Sequence, residues 1–401
     1  MSIETTNNVT RKEKAVEITS LGDFIRVISD LTNGTELYKQ VIDIFIEKIK
    51  QKSKDKYNKT WNLYYSTFLT REIQNIFIAL TNFTTKANKA HKNELAEIYN
   101  TIRKIIESYC NNSEDILEMY PALDTQRGEL ILIDFLVPEE NQVRPVQVYY
   151  RGEASNKWRT IPGILRENSY NTRESFYYHE IQVRAPKEFE NQTHLNKLVT
   201  MQHYETPTRL LDLTSNPLSA LYFACANKEQ ISNDGRVMLF PIMPGSMSYG
   251  DSDKALILSC LAPLTPFEKF FMHQEISDSK TDTYINDQEC IHLNKLFLEI
   301  CTEKPAFQRR IKFGDLLNPL FVQPNLINPR IVNQRGAFLL SGLDFNDDEA
   351  EERIKDRMST TQIVIPANRK TTILKELDAI GINQATIYPN LDKIAGYLKS
   401  R

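Results

Sequence analysis

Between Gln202 and Asn216 the chain gathers Gln202, His203, Thr208, Arg209, Asp212, Thr214 and Asn216 into a short polar cluster. A carboxylate beside a guanidinium and an imidazole can steady a developing positive charge, hold an anion and move a proton. The amides and hydroxyls around them would orient a ligand. The same residues also suit a structural network, with Arg209 and Asp212 as a buried ion pair and Thr214 and Asn216 serving only as caps. Leu218 to Ala226 follows directly and is almost wholly apolar, which puts the polar cluster at the mouth of a buried helix.

The elements that must position these residues can be argued from spacing. Asn216-Pro217 reads as a helix cap followed by a first-turn proline, whose missing N–H leaves no donor unpaired. Leu218, Leu221, Tyr222 and Cys225 recur at helical spacing, while Ala220, Phe223 and Ala224 fill the other side, so the helix is expected to be buried all round. Leu195, Leu198, Val199 and Gln202 predict an earlier helix that stops before Thr206-Pro207, because proline disfavours helical geometry in the residue ahead of it. Thr208 to Thr214 then reads as a connection between two buried elements. Upstream, Val146, Val148 and Tyr150 alternate with Gln147 and Tyr149, a strand pattern that ends on Arg151-Gly152. A guanidinium there presents a rigid fork suited to phosphate; alone, Arg151 could equally be a surface or capping residue. Downstream, Arg330-Ile331-Val332 and Ala337-Phe338-Leu339-Leu340 predict two β segments broken by a turn at Gln334-Arg335-Gly336.

Taken together, Tyr150-Arg151-Gly152, the block from Gln202-His203 through Pro207-Thr208-Arg209-Leu210-Leu211-Asp212 to Asn216-Pro217 and Ala220-Leu221-Tyr222-Phe223-Ala224, and the late Arg330-Ile331 with Gln334 and Gly336-Ala337-Phe338 resemble the FRG domain family. The resemblance covers residues 15–33 and about 125–398, including the ending Ile387-Tyr388-Pro389-Asn390. It implies an α+β fold with a mixed or antiparallel β core and surrounding helices. It also implies a cleft shared by Arg151, His203, Arg330 and Gln334, and a nearby acidic helix position, for which Glu180 is the candidate. The aromatic-Arg-Gly strand is similar to the first motif of arginine-type ADP-ribosyltransferases, whereas the serine-threonine-serine strand and paired-glutamate turn of those enzymes have no counterpart here.

The FRG-like helix, predicted over residues 15–33, opens at Ser20-Leu21-Gly22-Asp23 and carries Phe24, Val27, Ile28 and Leu31 on one stripe. Residues 1–14 ahead of it are polar and expected to be mobile. Residues 35–115 intervene before the strand and show three amphipathic stripes, which predict an all-α helical insertion near the N-terminus. That insertion reads as a packing or self-association bundle, with docking of a protein partner or substrate recognition as alternatives. Leu130 to Ile133 predicts a further strand, Arg236 to Pro241 and Ile363 to Ile365 two more. Helices are expected near 255–261, 293–301 and 370–380, and Glu349 to Lys355 reads as an exposed acidic stretch.

At 401 residues with 41% hydrophobic and 25% charged residues, the chain can build a sizeable core. A net charge of −3 offers no global attraction for nucleic acid, and a nucleic-acid partner is not expected. No apolar run reaches membrane-spanning length and the N-terminus lacks a signal-peptide core, so no membrane is expected and the cytoplasm is the expected location. The five scattered cysteines show no metal spacing. No metal and no cofactor are implied.

Three functions remain open on this reading. The first is a bacterial FRG-domain effector of a toxin or anti-phage defence kind, acting on NAD or another nucleotide as substrate with ADP-ribosyltransferase-like chemistry. His203, Asp212 and Glu180 would be catalytic, with Arg151, Gly152, Gln202, Thr208, Arg209, Thr214, Asn216, Arg330 and Gln334 binding. The second is a nucleotide- or partner-binding module without turnover. The third is a metal-dependent nuclease using Asp212, Glu180 and His203.

Overall fold

The computed structural model describes residues 14–33, 147–166, 173–242, 247–277, 292–325, 334–344, 347–358 and 361–400. The expected mobile N-terminus, the helical insertion and the strand at Leu130 to Ile133 lie outside these residues, apart from Lys14. Two compact units divide the chain: one holds residues 1–24, 149–240 and 245–401, the other 25–148 and 241–244. The candidate site lies in the first unit.

The described chain opens on strand β1 (Lys14–Glu17), then helix α1 (Leu21–Asn33). Ser20 Oγ accepts the amide of Asp23 at 3.1 Å, the expected cap, and Phe24 is fully buried. The helix starts where Ser20 predicts, and the strand ahead of it, within the segment 15–33, is one that no sequence pattern led us to expect. Its pairing partner lies more than 340 residues away, so no local pattern announces it.

Strand β2 (Gln147–Glu153) is followed by an irregular segment with one 3₁₀ turn at Gly163–Leu165. Next come α2 (Glu174–Arg184), α3 (Pro186–Phe189) and α4 (His194–His203). Strand β3 (Leu210–Thr214) leads into α5 (Pro217–Ala226), and β4 (Gly235–Ile242) follows. The Asn216 side chain accepts the amide of Leu218 at 3.0 Å, with Pro217 in the first turn, as the sequence predicts.

Residues 210–214 correct the expected connection: they form an interior strand of the sheet. Leu210, Leu211 and Leu213 are each no more than 3% exposed. Apolar residues on both faces, with neighbours on both sides, are what a central strand requires. The aspartate at its midpoint masks that pattern in the sequence.

The chain continues through β5 (Ser248–Tyr249), α6 (Asp253–Ser259), α7 (Pro266–Ser277), α8 (Leu293–Glu303) and α9 (Phe313–Leu317). It ends with β6 (Leu320–Gln323), β7 (Gly336–Leu340), α10 (Asp347–Lys355), β8 (Thr361–Ile365), α11 (Lys370–Ala379), α12 (Gln384–Ile387) and α13 (Leu391–Ser400). Of the two β segments expected in the late block, the second is β7 and the first lies outside the described residues. The acidic stretch expected at 349–355 lies in α10, with Glu352 and Lys355 exposed. Its Ala350 and Ile354 are buried, and Arg159 bonds Asp347 (2.6 Å), Asp348 (2.5 Å) and Glu351 (2.8 Å).

The strands form one mixed sheet in the order β1-β8-β4-β2-β3-β7-β6-β5. β1 with β8 and β5 with β6 are parallel; β4 with β8, β2 with β3, β3 with β7 and β6 with β7 are antiparallel. The fold class is α+β, as expected. A large core joins α2, α4, α6, α7 and α8 to Leu210, Phe338 and Leu340 of the sheet. At the other end of the sheet, buried Lys370 donates from Nζ to the carbonyls of Ala154 (2.6 Å) and Gln230 (2.8 Å). This ties the segments after β2 and α5 to α11.

Candidate functional site

The site begins where two neighbouring strands stop pairing. β3 and β7 are zipped from Leu210–Leu340 to Thr214–Gly336, whereas among the described residues β2 and β3 share only the pair Tyr150–Thr214. Beyond it Arg151 takes over from the ladder: Nη1 donates to the Asp212 carbonyl at 3.0 Å, and Nε donates to Glu153 Oε1 at 3.0 Å. A backbone acceptor with no ladder partner on β2 is thus satisfied by a side chain. Nη2 of Arg151 has no partner among the described residues, and neither does the exposed Asp212 carboxylate.

Behind Arg151 sits a clamp. The Glu153 side chain is 1% exposed. Its Oε2 accepts from Arg236 Nη2 (2.8 Å), Arg236 Nε (3.1 Å) and Thr160 Oγ1 (3.3 Å). Arg236 also bonds Thr160 Oγ1 at 3.0 Å and the Trp158 carbonyl. Two guanidinium groups on one carboxylate compensate its desolvation and leave it no freedom to turn.

Arg166 belongs to the same neighbourhood, although the sequence reading did not single it out. Its pKa is lowered first by the protein packed around it and then by Arg151, with Glu153 and Asp212 acting in the opposite direction. Its Nε donates to the Ile161 carbonyl at 3.3 Å, while both terminal nitrogens have no partner among the described residues. The signal that could have found it is the pair of arginines in Trp158 to Arg166. Nothing local distinguishes Arg166 from Arg159, which is consumed by α10.

Gly152 is placed by packing. A Cβ there would lie 1.8 Å from the Ala220 carbonyl oxygen and 2.9 Å from the Ala224 nitrogen, so α5 lies directly on this glycine. The Gly of the Arg-Gly pair lets helix and strand approach.

The other candidate residues do not converge on this place. Thr208 Oγ1 donates to Gln202 Oε1 at 2.6 Å and accepts the Leu210 amide, tying the end of α4 to the start of β3. Thr214 Oγ1 donates to the Gln334 carbonyl at 2.5 Å and accepts the Asn216 amide, while Ser215 N–H reaches the Arg335 carbonyl. The Gln334 side chain donates to the Ile387 carbonyl at 3.2 Å. These residues hold the β3–α5 corner against the turn before β7. Arg335, in that turn, has a φ of 47°, in the left-handed region. His203 ends α4 with its ring edge-on to Tyr204, 4.9 Å between centroids. Glu180 pairs with Arg184 at 2.5 Å along α2. Arg330 lies outside the described residues.

Arg209 turns away from its expected partner. Nε and Nη2 grip Glu174 at 2.9 and 2.6 Å, and Nη1 reaches the carbonyls of Ser341 (3.3 Å) and Gly342 (3.1 Å). Lys269 Nζ bonds the same carboxylate. The ion pair expected between Arg209 and Asp212 is thus replaced by a buried Arg209–Glu174–Lys269 triad. Side chains alternate across a strand, and the buried acid comes from α2, a partner 35 residues away.

Burial alone would raise the Glu174 carboxyl, but Arg209 and Lys269 more than offset this and hold it below the usual range. Burial pushes Lys269 down to about 8 despite Glu174. A depressed folded-state carboxyl contributes stability that is present above its unfolded value, 4.5, and is lost as pH falls through the lower folded value. Stability measured by denaturant should therefore decline below about pH 4.5, and Glu174→Gln should flatten that acid limb. An unchanged limb in the variant would show that other carboxylates control it.

The thiol of Cys225 is buried and pushed up to about 12, first by desolvation, so it is not a nucleophile at neutral pH. Among the described residues no group of three or more His, Cys, Asp or Glu could hold a metal ion, and no helix is long and apolar enough to cross a membrane.

Arg151, Gly152 and the helix that packs on this glycine all lie in a segment that a family model matches. Residues 146–233 match the family model described as FRG domain. The chain carries an FRG domain, and the matched segment runs from β2 through α5 to the turn before β4. No curated protein and no solved structure matches the chain.

Proposed function

We propose that the opening between β2 and β3 binds the diphosphate of a nucleotide, and that the protein is a bacterial effector of a toxin or anti-phage kind that consumes NAD. The observation that carries this reading is that Arg151 reaches across to β3, where Nη1 bonds the Asp212 main-chain carbonyl and Nη2 has no partner among the described residues, with Arg166 in the same neighbourhood. Charge-assisted N–H donors in a fork suit phosphate oxygens. A carboxylate with no bonded partner suits an oxocarbenium-like ribose.

In this reaction the bond from the ribose C1′ to the nicotinamide nitrogen breaks, and its electron pair neutralises the pyridinium. Asp212 opposes the positive charge left on the sugar. Water or an acceptor hydroxyl, amine or guanidine then bonds C1′ and gives up a proton. Glu180, paired with Arg184, takes no part in this assignment. Binding without turnover is the second reading, favoured by the number of polar candidates already committed to the scaffold.

The test is incubation with NAD, with and without a cell lysate, reading nicotinamide release and labelled products by mass spectrometry. Asp212→Asn should bind NAD and release no nicotinamide. Arg151→Ala should weaken binding at least about tenfold, the effect of losing a hydrogen bond to a charged group. Its melting temperature should fall by no more than a few degrees, because Glu153 retains Arg236 and Thr160. Saturable binding with no release from the wild type would establish the binding module instead.

A further inference from the structure

We infer that Glu153 is a positioning residue of the ligand site, which rests on the reading of Arg151 as the diphosphate arm. An arginine on a strand has several rotamers, and in open solvent its fork would sample them all. Here Glu153 Oε1 holds Nε at 3.0 Å while the Asp212 carbonyl holds Nη1 at 3.0 Å. Two bonds to different nitrogens fix the guanidinium plane. The nitrogen left over, Nη2, is the one the reading assigns to the ligand.

The hold is only as firm as the carboxylate itself. Glu153 is 2% exposed, and its second oxygen is occupied by Arg236 and Thr160. Arg236 comes from β4, on the other side of β2 in the sheet order. A line of charge thus runs from β4 through Glu153 to the arm on β2. Partners that orient metal-ligating side chains are worth about tenfold or more in affinity when removed, and an effect of the same order is expected for an arginine arm held in this way.

The charge sign makes the role separable from simple electrostatics. Glu153 is an anion beside a site for anions, so neutralising it should tighten phosphate binding if charge alone mattered. If it positions Arg151, neutralising it should weaken binding, because the glutamine amide would turn an N–H donor toward Arg236 and open the clamp.

Calorimetry of the full chain with ADP-ribose, and separately with inorganic pyrophosphate, decides between them. Glu153→Gln should bind ADP-ribose about tenfold more weakly, with a less favourable enthalpy, while Arg151→Ala loses binding. Equal or tighter binding by Glu153→Gln, with Arg151→Ala still defective, would overturn the positioning role and leave the ligand site standing. Arg151→Ala binding like the wild type, or a wild type that binds neither probe, would remove the site and this role with it. Should Glu153→Gln not fold, Arg236→Lys takes its place: it keeps the charge and loses the fork on Glu153. It should also weaken ADP-ribose binding, and unchanged affinity would overturn the inference.

Discussion

Arg209→Ala is expected to cost about 3–5 kcal/mol of folding stability, because it leaves Glu174 buried without its bidentate partner. Arg209 is 4% exposed and Glu174 1% exposed. Four hydrogen bonds end on this one guanidinium, two of them to the Ser341 and Gly342 carbonyls of the segment after β7. Lys269 remains to neutralise Glu174, yet it cannot replace a planar fork. Urea unfolding of the variant measures the loss directly. A midpoint within error of the wild type would mean that the triad does not form in solution. Replacing the three ionic residues together by apolar ones of similar volume should recover much of the loss, since the desolvation cost disappears with the charges. The consequence for function is practical: loss of activity in Arg209→Ala reports an unfolded protein, whereas Arg151→Ala and Asp212→Asn report the site.

Gly152→Ala should also be strongly damaging, by about 3 kcal/mol or more, and should reduce soluble yield. The added methyl would meet the Ala220 carbonyl oxygen at 1.8 Å, its carbon at 2.7 Å and the Ala224 nitrogen at 2.9 Å. All three are main-chain atoms of α5, so no rotamer change relieves the clash. The helix must move off β2, and β2 carries Arg151 and Glu153. Gly396→Ala in α13 is the matched control, because nothing lies within 4 Å of a Cβ there. Helix propensity should make that change neutral or stabilising by up to about 1 kcal/mol. Comparable melting temperatures for the two variants would exclude close helix-on-strand packing at Gly152.

Local chemistry made a good part of this legible. The Asn216-Pro217 cap, the buried helix after it, the strand ending on Arg151-Gly152 and the serine cap before α1 are all found where spacing predicted them. Each depends on residues within a few positions of one another. The misreadings share a different cause. β3 reads as a connection because its burial on both faces is supplied by distant neighbours. The stretch 349–355 reads as an acidic run with no fixed partner because Arg159, which holds Glu351, is nearly 200 residues away. Spacing pairs Arg209 with Asp212 because they are close in sequence.

The sequence by itself determined which side chains could serve a ligand: a strand-borne arginine, a carboxylate, and a glycine that admits a helix. Only the tertiary structure decided which of them are free to do so. Arg209, Thr208, Thr214 and Gln334 are committed to acceptors within the fold, while Arg151, Arg166 and Asp212 keep polar atoms with no partner among the described residues near the place where β2 and β3 part. A buried polar group must be satisfied, and which partner satisfies it depends on contacts across the fold that no local spacing encodes.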